Sequence, residues 1–171
     1  NITLHLARYG IYAESVLKPE IMDNVIYHQY YTGAEAYGIT ANFCDTALIG
    51  CNNVFNNFPY TSTLCKGVLI GQSHNITLSC NTVSRMYRGI EVSGQCDLFN
   101  DYRGNIMDTS RTGLYLNSSA VIGDQSHKGN LWYRTSNSFS AAQNANTGNL
   151  AQSEIITHTL SGSFYYPSIV S

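Results

Sequence analysis

Short runs in which apolar and polar residues alternate recur along much of the chain. Each run follows a glycine and an aliphatic residue, as in RGIEV, where Glu91 lies between Ile90 and Val92. A period of two is typical of a β-strand with one buried face. The pairs that mark these predicted strands are Gly10-Ile11, Gly38-Ile39, Gly67-Val68, Gly89-Ile90 and Gly113-Leu114.

A second marker, an aliphatic residue usually preceded by asparagine, recurs in step with the first. Its copies are Asn24-Val25, Asn53-Val54, Thr82-Val83, Asn105-Ile106 and Asn130-Leu131. A third strand is expected in most repeats, at residues 47–50, 75–78, 97–99 and 120–123. Three short strands in each repeat of 22 to 29 residues predict a coil whose turns stack on one another.

The coil explains which residue types recur. The aliphatic residues Ile11, Ile39, Val68, Ile90 and Leu114 are expected to form one interior file. Each contributes roughly 1.5–3 kcal/mol when fully enclosed. The glycines are expected at corners, because glycine adopts backbone conformations that other residues resist. Asparagines in successive turns are expected to pass side-chain hydrogen bonds along the stack.

These repeats resemble the right-handed parallel β-helix repeat superfamily, the fold shared by pectate lyases, polygalacturonases, phage tailspikes and many bacterial surface proteins. The resemblance covers residues 1–134 and implies an all-β solenoid of about five to six coils. Residues 135–171 are expected to form an irregular, loop-like extension that caps the stack or begins a following region. That tail also resembles stretches of large secreted Bacteroidota proteins, including type IX secretion clients.

Composition narrows the set of partners. Only 12% of the residues are charged, the formal net charge is −2, and basic clusters are missing from the sequence, so no nucleic-acid partner is predicted. No membrane span is predicted either, because no apolar run approaches the roughly 20 residues that a spanning helix needs. The chain is expected to be a piece of a longer secreted or cell-surface protein, with neighbouring coils or a protein assembly as a partner.

Two insertions, residues 27–38 and 56–67, leave the same corner of consecutive coils. Insertions on solenoids cluster on one face, which is often the binding face. Aromatic rings with a polar tip suit an amphipathic ligand such as a sugar. The alternative is that the rings pack on one another and cover the coil. The aromatic residues predicted to bind a ligand are Tyr27, Tyr30, Tyr31, Tyr37, Phe58 and Tyr60.

One polar column is the candidate catalytic site. Asp45, His74 and Asp97 each lie nine residues before the second marker of their repeat, on successive coils. Two carboxylates two coils apart would be roughly 9–10 Å apart, at the upper end of the range for an inverting glycosidase. A histidine between them could relay protons or orient a sugar. The alternative is a solvated turn.

Other chemistry of the superfamily is not matched. The paired aspartates and the Gly-His-Gly motif of polygalacturonases are missing from the sequence. The calcium-binding acids of pectate lyases would correspond to Glu14 and Glu91, about three coils or 14 Å apart, which is too far to share an ion. The sequence therefore predicts neither a metal site nor a cofactor.

The five cysteines are an odd number, so at least one has no partner within the chain. Cys51 and Cys80 are expected on adjacent coils, about 4.8 Å apart, which permits either a disulfide or a stack of unbonded thiols. No CxxC motif occurs and the histidines are scattered, so no zinc site is predicted.

The favoured interpretation is a non-enzymatic secreted or cell-surface β-helix module. Its role would be structural or adhesive, with glycan binding through the tyrosine-rich loops. One alternative is a polysaccharide lyase or glycoside hydrolase that uses the Asp45–His74–Asp97 column. Another is a partial chain of a large secretion-system substrate, in which case the function belongs to the whole protein.

Overall fold

The chain winds into a parallel β-helix built from three strands per turn. The computed structural model describes residues 3–5, 8–28, 35–57, 65–96, 99–125, 128–133, 140–145, 153–154 and 168–170. Every strand pairing among these residues is parallel. This confirms the predicted fold class, because a strand must travel once around the coil before it meets its own copy.

Three main sheets form the sides of the coil. The six-stranded sheet contains, in order, β1 (Thr3–His5), β4 (Val25–His28), β7 (Asn53–Asn56), β10 (Thr82–Ser84), β13 (Ile106–Asp108) and β16 (Leu131–Tyr133). The four-stranded sheet contains β3 (Glu20–Met22), β6 (Leu48–Gly50), β9 (Thr77–Ser79) and β12 (Asp101–Arg103).

The longest strands form the third side. The seven-stranded sheet contains β2 (Tyr9–Glu14), β5 (Ala36–Asn42), β8 (Cys65–Gly71), β11 (Arg88–Ser93), β14 (Thr112–Asn117), β17 (Ser140–Asn144) and β19 (Ser168–Val170). A two-stranded sheet pairs β15 (Gly123–Asp124) with β18 (Ser153–Glu154).

The number of regular coils is smaller than predicted. The four-stranded sheet limits the turns that carry all three strands to four, against the expected five to six. In the next turn β15 pairs with β18 and not with β12, so the regular stacking changes there. In the fourth turn the strand begins at Asp101, and Phe99, which was expected to belong to it, lies in an exposed turn; residues 97 and 98 lie outside the described residues.

Part of the C-terminal segment differs from the predicted loop. Residues 140–144, which are poor in large aliphatics, form β17 and pair in register with β14. The physical reason is that alanine suffices on the inner face here, where Ala142 is buried and pairs with Leu114. The boundary proposed at residue 134 stays a prediction.

The predicted interior file is confirmed. Ile11, Ile39, Val68, Ile90 and Leu114 pair in register across the seven-stranded sheet. Ile39 and Val68 are fully buried, while Ile11 at the first strand is partly buried against the same core. The file is continuous because each pair of neighbouring coils adopts the same register.

The second marker is misaligned by one residue in some coils. The structure pairs Val25 with Asn53 and Ile26 with Val54, where the sequence pattern pairs Val25 with Val54. A shift of one residue exchanges the inner and outer faces of a strand, so Ile26 is buried and Val25 is only partly buried. The inner file of this sheet consists of Ile26, Val54, Val83, Met107 and Trp132.

The recurring glycines are required for a different reason from the one predicted. The positive-φ glycines of the described chain are Gly94, Gly104, Gly123 and Gly129, so the five marker glycines do not need a left-handed conformation. A Cβ on Gly67 would instead lie 2.6 Å from the carbonyl oxygen of Gly89 and closer still to the Val83 side chain. Glycine recurs here because the inner wall leaves no room for a side chain.

An asparagine ladder runs the length of the six-stranded sheet. In each of the first four members, the side-chain amide donates to the side-chain oxygen of the asparagine on the next coil, at 2.9 to 3.0 Å. The same oxygen also accepts a hydrogen bond from the backbone N–H of the asparagine that donates to it, at 3.0 to 3.1 Å. The members are Asn24, Asn52, Asn81, Asn105 and Asn130. The predicted ladder is thus present, but Asn52 and not Asn53 belongs to it.

We expect the ladder to make a large contribution to stability. Asn81 is fully buried, accepts from Asn52 and donates to Asn105 and to the carbonyl of Ile49. Asn81→Ala should lower the free energy of unfolding by about 3 kcal/mol or more, because several buried polar groups lose their partners at once. The matched control is Asn53→Ala, an exposed position whose loss should cost less than about 0.5 kcal/mol. Urea unfolding measures both; equal effects would contradict the ladder.

One buried histidine should make stability depend on pH. His28 is 1% exposed, and neither ring nitrogen has a hydrogen-bond partner in the described chain. Burial lowers the pKa of His28 from 6.5 to about 4. Below pH 6.5 the unfolded chain therefore binds a proton that the folded chain does not.

Stability should consequently fall as the pH drops from 6.5 to about 4, and level off below that. The contribution of this one group is roughly 3 kcal/mol across the window. His28→Leu should remove this part of the slope, whereas Asn53→Ala, at an exposed position without a titratable side chain, should keep the wild-type profile. Unfolding curves across the window test this, and an unchanged slope in His28→Leu would refute it.

Candidate functional site

The outer face of the seven-stranded sheet carries three columns of side chains that continue from coil to coil. The second and third columns face outward because they alternate with the buried file. The first column faces outward because the marker glycine that follows it interrupts the alternation: a Cβ on Gly67 would point at the buried Val83 side chain, although the next residue, Val68, is buried too. The first column is Tyr9, Tyr37, Lys66, Arg88 and Thr112; the second is Tyr12, Thr40, Leu69, Glu91 and Tyr115; the third is Glu14, Asn42, Gly71, Ser93 and Asn117.

An ion cluster lies in the middle of this face. The Glu91 carboxylate is 1% exposed and lies 2.8 Å from an Arg88 guanidinium nitrogen and 3.2 Å from Lys66 Nζ. Lys66 Nζ also lies 3.5 Å from the Glu35 carboxylate, and the Asn117 amide donates to Glu91 at 3.4 Å. Two cations therefore neutralise two carboxylates, and the cluster presents polar groups with little net charge.

Aromatic rings surround the cluster. Tyr37 stacks on Tyr9 with ring centroids 5.1 Å apart and an interplanar angle of 3°, and Tyr12 meets Tyr9 edge-on. Lys66 Nζ lies 5.0 Å from the centre of the Tyr37 ring, and the Arg88 guanidinium lies 3.5 Å from that of Tyr115. These contacts hold the long cationic side chains along the face.

A groove lies beside the cluster, where the strands end. It is an open groove with a volume of about 640 Å³, within the range of about 300–1,000 Å³ found for ligand-binding clefts. Its lining is dominated by amide and hydroxyl side chains, with Phe43 and Leu69 as the large apolar members and Lys66 and Glu91 as the charged members. The polar lining residues include Asn42, Gln72, Ser93, Gln95, Asn117, Ser118 and Ser119.

The predicted aromatic ligand site is only partly within the described residues. Tyr37 is buried in the first outer column, whereas Tyr27 lies in the six-stranded sheet and packs edge-on against Phe55 with centroids 4.2 Å apart. These two side chains therefore belong to different faces of the coil. Tyr30, Tyr31, Phe58 and Tyr60 lie outside the described residues.

The predicted catalytic column is also partly visible. Asp45 and His74 form a parallel bridge between adjacent coils, and both are exposed, while Asp97 lies outside the described residues. A hydrogen bond from Asn75, 3.0 Å long, lowers the pKa of the Asp45 carboxyl. A carboxylate that is already ionised suits a base or an anchor better than a general acid. A catalytic role for this column stays a prediction.

Part of the site follows from the positions of residues relative to the marker glycines. Glu91 lies two residues after its marker glycine, and Lys66 and Arg88 each lie directly before theirs. The same register brings these three positions together on one face. The groove itself could not be found in this way, because it depends on how the corners after the strands bend.

Stacked parallel strands and a buried asparagine ladder define the protein as a parallel β-helix. A family model described as "Periplasmic copper-binding protein (NosD)" matches residues 1–125. The chain belongs to this NosD family. Comparisons with curated proteins and with solved structures gave no significant match. The family description agrees with the predicted location on the secreted side, and among the described residues no helix is long and apolar enough to cross a membrane.

The family description raises the question of copper. No group of three or more histidine, cysteine, aspartate or glutamate side chains in the described ranges could hold a metal ion. The two thiols of Cys51 and Cys80 do lie in contact on neighbouring coils. Thiolates are soft ligands of the kind that copper(I) prefers, but two of them are fewer than the three side chains of such a group.

The ion cluster should be sensitive to the loss of its central charge. Glu91→Gln should lower the free energy of unfolding by roughly 2–4 kcal/mol, because Lys66 and Arg88 are left beside each other without their carboxylate. Glu14→Gln is the matched control, since Glu14 lies exposed on the same outer face. Thermal or urea unfolding measures both variants. If Glu91→Gln lowers the free energy of unfolding as little as Glu14→Gln does, the ion cluster does not stabilise the fold.

Proposed function

We propose that this chain is a secreted β-helix module that binds a glycan in the groove on the seven-stranded sheet, with a structural or adhesive role. The groove, with its amide and hydroxyl lining, is the observation that carries the proposal. Amide and hydroxyl groups donate and accept hydrogen bonds, so they can pair with sugar hydroxyl groups that act as donors or as acceptors. The proposal also includes a location at the cell surface, a role in adhesion and secretion by a type IX system.

The charge balance of the face favours a neutral sugar. Lys66 and Arg88 are both engaged with Glu91, so neither cation is left over for a carboxylate on the ligand. To bind a carboxylate of the ligand, Lys66 or Arg88 would have to leave the nearly buried Glu91, at a cost of several kcal/mol. We therefore expect neutral oligosaccharides to bind better than uronic-acid polymers.

The tyrosines add a second kind of contact. Tyr12 is 48% exposed and meets the stacked pair of Tyr9 and Tyr37, so its ring offers a flat surface on the groove-bearing sheet. Flat rings with a polar edge pack against sugar rings and keep their hydroxyl in water. The tyrosines of the inserted loops, Tyr30 and Tyr31, could extend this surface, and their role is part of the proposal.

A glycan array followed by calorimetric titration tests the proposal. Replacing both Gln72 and Gln95 by alanine should weaken binding at least tenfold, since each removes an amide from the groove wall. The control is Gln143→Ala, which removes an amide from the same sheet one coil beyond Tyr115, outside the groove lining. It should leave the affinity unchanged.

The groove is not the site if the protein binds no neutral glycan, or if Gln143→Ala weakens binding as much as the Gln72, Gln95 double variant does. Release of new reducing or unsaturated ends during the incubation would favour the alternative lyase or hydrolase instead. In that case Asp97→Asn should abolish the release. Loss of binding in a Tyr30→Ala, Tyr31→Ala double variant alone would move the site to the loops.

A further inference from the structure

One phenylalanine lies among the polar side chains of the groove. Phe43 lines the groove and is 54% exposed, so it does not belong to the buried core. A single exposed apolar side chain is ordinary on a protein surface, but this one lies in a concave site lined mostly by amides and hydroxyls. A flat apolar surface beside hydrogen-bonding groups suits a sugar ring, because the ring faces carry C–H groups and the edges carry hydroxyls.

The backbone holds this phenylalanine at a fixed corner of the coil. Phe43 directly follows β5 and has a φ of 52°, a left-handed conformation that is unusual for a bulky residue. Its backbone N–H donates to the carbonyl of Gly71 on the next coil at 2.9 Å, which ties the corner to the stack. The residues at the same corner of the next three coils also have a left-handed φ, and they are Gln72, Gly94 and Ser118. Together these corners form one wall of the groove.

Two glycines leave room for two of the amides in the groove. A Cβ on Gly94 would lie 2.5 Å from Cγ of Gln72, so the Gln72 side chain extends over the next coil where Gly94 has no side chain. In the same way, the Asn42 amide fills the space over Gly71, where an added Cβ would overlap the Asn42 Oδ1. The amides of Asn42 and Gln72 are therefore positioned by the glycines of the neighbouring coils.

The groove follows the direction of the stack. Its lining includes residues at the ends of four successive strands, β5, β8, β11 and β14, which pair in register. At about 4.8 Å per coil, the four strand ends extend over roughly 14 Å. An extended oligosaccharide can follow this line and contact each coil in turn, whereas a curved one would leave it.

We propose that Phe43 is the stacking residue of the groove and that the ligand is an extended, β-linked oligosaccharide whose pyranose rings carry equatorial hydroxyls. In such rings the hydroxyls lie at the edge and both faces carry C–H groups. A phenyl ring can then pack on one face while the amides of Asn42 and Gln72 pair with the edge. An axial hydroxyl would instead meet the phenyl ring and lose its hydrogen bonds to water. This inference rests on the proposed glycan binding and adds the class of sugar and the residue that selects it.

Calorimetric titration with two glucose tetrasaccharides tests the class of sugar. Cellotetraose and maltotetraose contain the same ring and differ only in the configuration of the linkage, which makes the first extended and the second curved. The wild type should bind cellotetraose roughly tenfold more tightly than maltotetraose.

Variants of Phe43 test the stacking contact. Phe43→Ala should weaken the binding of cellotetraose roughly tenfold, and Phe43→Tyr should retain it, because tyrosine keeps the flat ring. The matched control is Phe99→Ala, which removes an exposed phenylalanine outside the groove lining and should bind as the wild type does.

A glycine substitution tests the positioned amide. Gly94→Ala should displace Gln72 and weaken the binding of cellotetraose. The control is Gly129→Ala, where φ is similarly left-handed, at 69° against 77°, but an added Cβ meets nothing within 4 Å. Both substitutions strain the backbone, so urea unfolding of each variant separates a loss of stability from a loss of the amide. Only Gly94→Ala should lose affinity, and equal affinity in the two would overturn the positioning role.

The inference is overturned if Phe43→Ala binds cellotetraose as tightly as the wild type does, or if maltotetraose binds equally well. If the Gln72, Gln95 double variant still loses binding in that case, the groove stays a glycan site and only this inference fails. If the wild type binds no neutral glycan, the proposed function and this inference fail together.

Discussion

The asparagine ladder is the interaction on which the rest of the structure depends. A coil of short parallel strands can slip by one residue, and such a slip would turn every inner side chain outward. Asn24, Asn52, Asn81, Asn105 and Asn130 oppose this, because each amide finds both of its partners in only one register. The last four of these also donate to a carbonyl of the preceding coil, such as that of Ile21 or Ile49. Hydrophobic burial drives the coil together, and the ladder decides how successive turns align.

The arrangement of side chains on the outer surface follows from that alignment. In this register Lys66, Arg88 and Glu91 meet on one outer face although they come from two different coils. The same corners bring Cys51 beside Cys80, directly before two members of the ladder. The groove and the thiol pair are thus consequences of one stacking rule that acts on different columns. A solenoid of this kind can carry several independent sites, because the outer columns can differ in their side chains while the interior stays the same.

The fold could be predicted from the sequence because every coil must bury apolar side chains at equivalent positions. The file from Ile11 to Leu114 could be predicted since every coil must bury an aliphatic residue at that place. The second marker failed at Val25, because Ile26 beside it is equally apolar and only the ladder distinguishes their faces. Asn52 and Asn53 are likewise indistinguishable by composition. The groove and the partners of Glu91 required the bend of the corners, which alternation alone does not contain.

The most direct test of this account is site-resolved hydrogen exchange of the backbone amides next to the ladder. The amides of Asn52, Asn81 and Asn105 each donate to the side-chain oxygen of the next asparagine. They should exchange only through global unfolding, and should therefore be among the slowest in the chain. The amide of Ser118, whose acceptor is the side chain of its own neighbour Asn117 in an exposed turn, should exchange much faster. If the ladder amides exchange as fast as that of Ser118, the ladder does not hold the register, and the account is wrong.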